Sequence, residues 1–96
     1  MACYRLSGSA AKDLRAIARY SVQNFGAAKA RSYGNSFRTC FETIADNPNI
    51  GREYGHIRPS LRRHGHKSHA VFYILQDQGI LIVRILHESQ DILRHL

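Results

Sequence analysis

Two amphipathic patterns separated by a single glycine constrain the fold more than any other feature of this sequence. In the first pattern, small or apolar residues recur at three- and four-residue spacing: Ala10, Leu14, Ile17, Ala18, Ser21 and Phe25. This spacing predicts a helix that begins near residue 8 and ends at Gly26. The second pattern predicts another helix, which ends at Asn47-Pro48. Its apolar stripe consists of Ala30, Tyr33, Phe37, Cys40, Phe41 and Ile44.

A connection of one or two residues around Gly26 forces the helices into an antiparallel hairpin. Gly34 lies in the middle of the second helix and predicts close approach of a neighbour, at a cost of about 1 kcal/mol relative to Ala.

Short runs with strand character supply the second layer. CYRLS (3–7) alternates side chains before the turn and helix cap at 7–9, and three further runs follow a loop rich in Gly, Pro and Asn, residues 48–60. These runs are LRRHGH (61–66), SHAVFYIL (68–75) and ILIVRILH (80–87). Lys67 predicts a tight connection between the first two runs, and the turn at 76–79 makes the last two a hairpin. DILRHL (91–96) is either a helical turn or an ordered tail. The sequence therefore predicts one α+β domain, residues 1–96, with the hairpin of helices on one face of a small sheet.

The other face of this sheet raises a separate expectation. The runs 68–75 and 80–87 are almost continuously apolar, which is typical of strands that are buried on both faces. Two helices can cover only one face. We therefore expect another molecule to cover the second face.

Positive charge is concentrated in one part of the chain. The formal net charge is +7, from 14 Lys and Arg against 7 Asp and Glu, and such a field favours anionic partners. Much of it lies between residues 52 and 67, where only Glu53 opposes the basic residues. The cations there are Arg52, Arg58, Arg62, Arg63 and Lys67. The pattern is typical of a rim that binds phosphates or carboxylates, although charge on a loop and edge strand also prevents edge-to-edge pairing.

Several function classes find no support in the sequence. His64, His66 and His69 lack a suitably spaced Cys or carboxylate to complete a metal site, so we expect no metal and no other cofactor. Cys3 and Cys40 are far apart and form no CxxC motif, which favours reduced thiols in the cytoplasm. No apolar run is long enough to span a bilayer, and the first residues have no signal-peptide character.

The stretch VRILHESQD (83–91) carries the one candidate for acid–base catalysis. His87 could act as a general acid or base, because imidazole side chains in general titrate near neutral pH, while Arg84 could stabilise developing negative charge. Residues 84 and 87 point to opposite faces of a regular strand, so a shared site requires a bulge or an earlier end of the strand. The spacing alone favours a structural or hydrogen-bonding role for His87.

Five motifs, in order, resemble the ParE branch of the RelE/ParE superfamily of bacterial toxins. They are a first strand, a helical hairpin ending in NPxxG (47–51), an RPxLR loop (58–62), an HxxFY strand (69–73) and a strand ending in RxLH (84–87) before an Asp. The similarity runs from about Tyr4 to Leu96. It implies the order β-α-α-β-β-β, a twisted, mainly antiparallel sheet, and the toxin of a type II toxin-antitoxin pair.

The resemblance also implies partners. The antitoxin of such a pair is a small ParD-like protein with a ribbon-helix-helix half and an acidic tail that wraps the toxin, and the target is DNA gyrase. The chain would then inhibit without catalysis and would not bind specific DNA sequences by itself. The alternative, taken from the RelE branch, is a ribosome-dependent mRNA endoribonuclease that uses His87, Arg84 and Arg62. A free-standing nucleic-acid-binding domain is a third possibility.

Site residues follow from the gyrase hypothesis. We expect cations of the basic stretch and the end of the last strand to contact the target: Arg58, Arg62, Arg63, Lys67, Arg84 and His87. We expect the helical stripes and one sheet face to bind the antitoxin through Leu14, Ile17, Arg31, Arg38, Phe72 and Ile82.

Overall fold

The structure, a computed structural model, describes residues 3–96. It contains the predicted helical hairpin and four predicted strands, with boundaries within a residue or two of those expected. A two-residue strand is added to them, and residues 91–96 adopt the helical one of the two expected alternatives. The elements are β1 (Cys3–Leu6), α1 (Gly8–Phe25), α2 (Ala27–Asp46), β2 (Arg52–Glu53), β3 (Arg62–His66), β4 (His69–Gln76), β5 (Gly79–His87) and α3 (Ile92–His95).

The strands form one mixed sheet in the order β1-β5-β4-β3-β2. Strand β1 pairs with β5 in parallel, and every other pair of neighbours is antiparallel. The fold class is therefore the predicted one: α+β, with a helical hairpin on a small, mainly antiparallel sheet. In the pairing of β4 with β5, Phe72 lies opposite Arg84 and Tyr73 opposite Ile82, so Val83 is an extra residue in β5. This bulge occurs just where the short strand β1 ends.

The ends of the helices explain the tight hairpin. The Ser7 hydroxyl accepts a hydrogen bond from the Ala10 amide (3.0 Å) and donates one to the Val83 carbonyl (2.8 Å), which caps α1 and fastens it to β5. Gly26 joins α1 to α2 with a φ of +88°, a conformation that other residues rarely adopt. Gly34 differs from expectation. A Cβ atom at Gly34 would meet nothing within 4 Å, so the prediction of close packing there was wrong.

The main core lies between the hairpin and the sheet. It includes Phe37, Phe41 and Ile44 from α2, which pack against Tyr73 and the inner side chains of β5. The Tyr73 hydroxyl donates to the Pro48 carbonyl and accepts from the Gly51 amide, both at 2.8 Å. These two bonds tie the loop after α2 to the centre of the sheet.

A second, smaller core lies on the other face of the sheet. Leu61, Phe72 and Leu86 are buried there, and the loop before β3 and helix α3 pack over them. The expectation that another molecule must cover this face was therefore wrong. It failed because the loop before β3 folds back over this face, with the Tyr54 amide bonded to the Leu61 carbonyl at 2.8 Å. It failed also because α3 packs against the same core.

No helix within residues 3–96 is long and apolar enough to cross a membrane.

Candidate partner-binding groove

An open cavity of about 730 Å³ lies where the tip of the helical hairpin meets the turn between β3 and β4 and the end of β5. We call this cavity the groove. One wall is mainly apolar and the other carries titratable side chains. The residues that line it are Ala16, Ile17, Tyr20, Ser21, Phe25, Lys29, Tyr33, Lys67, Ser68, His69 and His87.

The apolar wall comes from α1. Tyr20 and Phe25 are 61% and 58% exposed, and their rings meet edge to face with centroids 6.3 Å apart. The apolar spacing of α1 assigned Phe25 to the core, but its side chain is exposed and its ring meets that of Tyr20 at the groove. Tyr20 was not predicted as a site residue, because it lies off the apolar stripe. Large exposed side chains at such a position are typical of an interaction surface.

The polar wall is a chain of rings and hydrogen bonds. The Tyr33 hydroxyl and His69 Nδ1 form a 2.9 Å hydrogen bond, and the rings of His69 and His87 meet edge to face at 5.3 Å. His66, next to His69 across the β3–β4 pairing, bonds to the Ser36 hydroxyl at 2.9 Å. The sequence could not reveal this arrangement, because it depends on the register that places His66, His69 and His87 side by side on adjacent strands.

Burial and neighbouring positive charge set the protonation of this wall. Burial, followed by repulsion from His87 and His66, lowers the pKa of His69. Burial and the charge of Lys67 lower the pKa of His66 in the same way. Burial also raises the pKa of Tyr33, so its hydroxyl stays protonated at neutral pH. Lys29 and Lys67 add fixed charge, and no Asp or Glu occurs among the residues that line the groove.

The basic stretch does not form one continuous rim. Arg62 lies opposite Tyr73 and Arg63 opposite Phe72, so their side chains leave the sheet on opposite faces. Arg62 donates to the Gly51 carbonyl at 2.7 Å and to the Asn49 carbonyl at 3.3 Å. These bonds hold the loop after α2 against β3. Arg58 is exposed on that loop, and Lys67 occupies the β3–β4 turn with a φ of +56°.

Arg84 is engaged by the protein itself. It forms a two-pronged ion pair with Asp13 at 2.8 and 2.9 Å and donates to the His95 carbonyl at 2.9 Å. The Asp13 carboxylate also accepts from the Ile85 amide at 2.9 Å, where β1 no longer covers the edge of β5. The hydrogen bonds to Asp13 raise the pKa of Arg84, so the guanidinium remains charged.

The residues named for the endoribonuclease alternative are not brought together. Arg62 begins β3, whereas His87 lies opposite His69, which pairs with His66 at the end of β3. His66 lies four residue steps along the strand from Arg62, a distance of about 13 Å. The bulge at Val83 precedes Arg84, and residues 84–87 pair regularly with residues 72–69. The side chains of Arg84 and His87 therefore still leave the sheet on opposite faces.

The residues expected to bind an antitoxin fall into three groups. Leu14 and Ile17 are half-buried on α1, and Ile17 lines the groove. Arg31 and Arg38 are exposed on α2. Phe72 and Ile82 are 3% and 0% exposed in the two cores, so in this conformation neither side chain reaches the surface.

The histidines form no metal centre. His66 and His69 are neighbours, but in the described part of the chain, residues 3–96, no group of three or more His, Cys, Asp or Glu side chains could hold a metal ion. Both cysteines are free, with Cys3 exposed and Cys40 buried.

Fold and groove together define a small α+β interaction domain with an exposed, cationic and partly apolar surface. Residues 4–92 match the family described as the ParE toxin of the type II toxin-antitoxin system, parDE. The chain belongs to this ParE toxin family. It is 33% identical to Toxin ParE1 of Mycobacterium tuberculosis over 94 residues, which is 97% of this chain and 96% of that protein. It is 31% identical to Toxin ParE of Escherichia coli over 97 residues, covering 100% of this chain and 94% of the relative.

A solved structure supports the fold. The chromosomal ParDE toxin-antitoxin system from P. aeruginosa contains a chain that superposes with a TM-score of 0.75 at 21% identity. The superposition covers 91% of this chain and 96% of that one.

Proposed function

We propose that this ParE toxin acts in the cytoplasm, is neutralised by direct binding of a ParD-like antitoxin in the groove, and inhibits DNA gyrase without catalysing a reaction. One observation carries the antitoxin part of this proposal. The groove combines exposed apolar side chains with two lysines and two histidines, and it is lined by no carboxylate. An acidic tail with apolar anchors complements both walls.

The antitoxin surface extends beyond the groove along the hairpin. Ile17 and Tyr20 would receive apolar anchors, and Leu14 supports this wall from its half-buried position. Arg31 and Arg38 lie seven residues apart on α2, hence on one side of the helix, and are exposed to acidic residues of a wrapping tail. Phe72 and Ile82 are left out of the proposed surface because they are buried.

A pair of variants in α1 tests the antitoxin surface. Tyr20 and Val22 are both large, exposed side chains of α1, but only Tyr20 lines the groove. We expect Tyr20→Ser to weaken binding of the ParD-like antitoxin about tenfold or more, because interface aromatics contribute strongly to affinity. Val22→Ser should change the Kd less than about twofold. Equal effects of the two variants would rule out the groove as the main contact.

The proposed gyrase contact uses the cations that remain accessible. Arg58 and Lys67 are exposed, and Arg63 lines a small pocket on the second face together with His87. Arg62 and Arg84 would act indirectly, because both hold the loops and helices that position this surface. The same engagement leaves neither arginine free to stabilise a reacting phosphate, which supports inhibition by binding.

Gyrase supercoiling with purified protein tests the target. We expect inhibition at micromolar concentration, and we expect Arg63→Ala to lower potency about tenfold while Arg19→Ala, on the exposed side of α1, leaves it unchanged. Transcripts in a translating extract should remain intact. Undisturbed supercoiling together with mRNA cleavage that is lost in His87→Ala would replace this proposal by the endoribonuclease function.

A further inference from the structure

We propose that the polar wall of the groove is a proton-linked carboxylate site, in which His87 donates a hydrogen bond to an acidic side chain and His69 takes up a proton as that side chain binds. This inference rests on the proposed function, since the carboxylate would come from the acidic tail of the antitoxin. It adds a regulation to that function: neutralisation becomes tighter as the pH falls.

The hydrogen bonds of His87 prepare it to donate. Its Nδ1 accepts a hydrogen bond from the Ser89 amide at 3.1 Å and lies 2.7 Å from the Ser89 hydroxyl. An acceptor nitrogen carries no proton, so the proton of the neutral ring is on Nε2. The His87 side chain is exposed at the groove, where this N–H can meet a carboxylate oxygen.

His69 is the group able to change its protonation state. Its Nδ1 is bonded to the Tyr33 hydroxyl, which can donate to a neutral ring and can equally accept from a protonated one. A proton from solvent therefore enters at Nδ1 without breaking this contact. Once charged, the ring attracts a carboxylate held beside it. The fixed positive charges of Lys29 and Lys67 attract the same carboxylate.

The groups around His69 disfavour its protonated form in the absence of a bound carboxylate. From the hairpin, Tyr20, Lys29 and Tyr33 face this part of the groove, and none of them carries a carboxylate. From the sheet, His66 and Lys67 lie on the β3 side and His87 on the β5 side. Among residues 3–96, Glu88 is the carboxylate whose charge raises the pKa of His69, and this effect is outweighed by burial and by the two neighbouring imidazoles. A bound carboxylate supplies the missing negative charge.

Thermodynamic linkage between carboxylate binding and protonation of His69 determines how the Kd changes with pH. If binding adds a proton to His69, the affinity rises as the pH falls through the range between the bound and free pKa values. For uptake of one proton, the Kd tightens by at most about tenfold per pH unit. Carboxylates of the partner stay ionised above about pH 5, so they do not reverse the trend between pH 8 and pH 6.

Histidine NMR on the intact protein tests the site with a defined probe, the blocked tripeptide acetyl-Phe-Glu-Glu-amide. It offers an aromatic ring to the apolar wall and carboxylates to the imidazoles. We expect saturation with this peptide to raise the pKa of His69, and its Kd to tighten severalfold from pH 8 to pH 6. An unchanged His69 titration, a Kd independent of pH, or no binding in the groove would overturn the proposal.

Three variants separate the roles of the two rings. His69→Gln should lose the pH dependence of the Kd between pH 8 and pH 6, because the proton acceptor is removed. His87→Gln should weaken binding at every pH and keep the pH dependence. His56→Gln, on the loop outside the groove, should behave as the unaltered protein. Antitoxin that binds in the groove with a pH-independent Kd would contradict this site alone and leave the proposed function standing.

Discussion

Among single residues, Asp13 does the most to hold separate elements together. Its carboxylate bonds to Arg84 and to the Ile85 amide, and Arg84 in turn holds the carbonyl of His95. One acidic side chain therefore links α1, the uncovered edge of β5 and α3. The sequence places Asp13 on the polar side of α1, and only the end of β1 and the bulge at Val83 give it these partners.

Replacing Asp13 should destabilise the fold. We expect Asp13→Ala to lower the free energy of unfolding by about 3 kcal/mol, because it leaves a half-buried guanidinium and a backbone amide without their acceptor. Glu42→Ala, an exposed acid on α2, should change the stability by less than about 0.5 kcal/mol. Urea denaturation of the two variants measures both values. Similar losses in both would show that the Asp13 contacts contribute little.

The histidines of the polar wall predict how stability depends on pH. His66 and His69 have lowered pKa values in the folded protein, so below about pH 6.5 the unfolded chain binds protons that the folded chain does not. The free energy of unfolding should therefore fall as the pH drops from 7.5 to 5.5. The double variant His66→Gln, His69→Gln should have a flatter profile. A wild-type profile that rises towards pH 5.5 would contradict the burial of these rings.

At the scale of elements, apolar periodicity predicted the two helices and the long strands because each of them buries one regular stripe or a continuous run. Periodicity did not reveal strand β2 and left a helical turn at 91–96 as one of two alternatives, since elements of two and four residues are too short to show a period. Their positions depend on contacts distant in sequence: β2 pairs with β3, and α3 follows the Arg84 bond to His95.

Two glycines of the hairpin should respond in opposite ways to the same substitution. Gly34 is exposed in α2 with free space around it, so Gly34→Ala should stabilise the protein by up to about 1 kcal/mol through helix propensity. Gly26→Ala should destabilise it by about 1–2 kcal/mol, because φ is +88° at the connection. Thermal unfolding of both variants provides the comparison. A stabilising Gly26→Ala would show that the connection relaxes to another conformation.

For the whole molecule, composition predicted a basic domain with an interaction surface, but the location of that surface required the fold. The strand pattern led us to expect an uncovered sheet face, whereas Leu61 and Phe72 are buried there by the chain's own loop and α3. Two large exposed apolar side chains, Tyr20 and Phe25, lie instead at the hairpin tip, where they line the groove. Sequence periodicity could not distinguish these arrangements, because it does not specify how a loop folds back.

The central claim is that the groove, and not the second face of the sheet, meets the ParD-like antitoxin. Amide hydrogen exchange of the toxin with and without the antitoxin tests it most directly. We predict slower exchange on binding in residues 16–29 and 67–69, which line the groove, and little change in the loop 52–60. Protection confined to that loop and to α3, with exchange in 16–29 unaltered, would contradict the account.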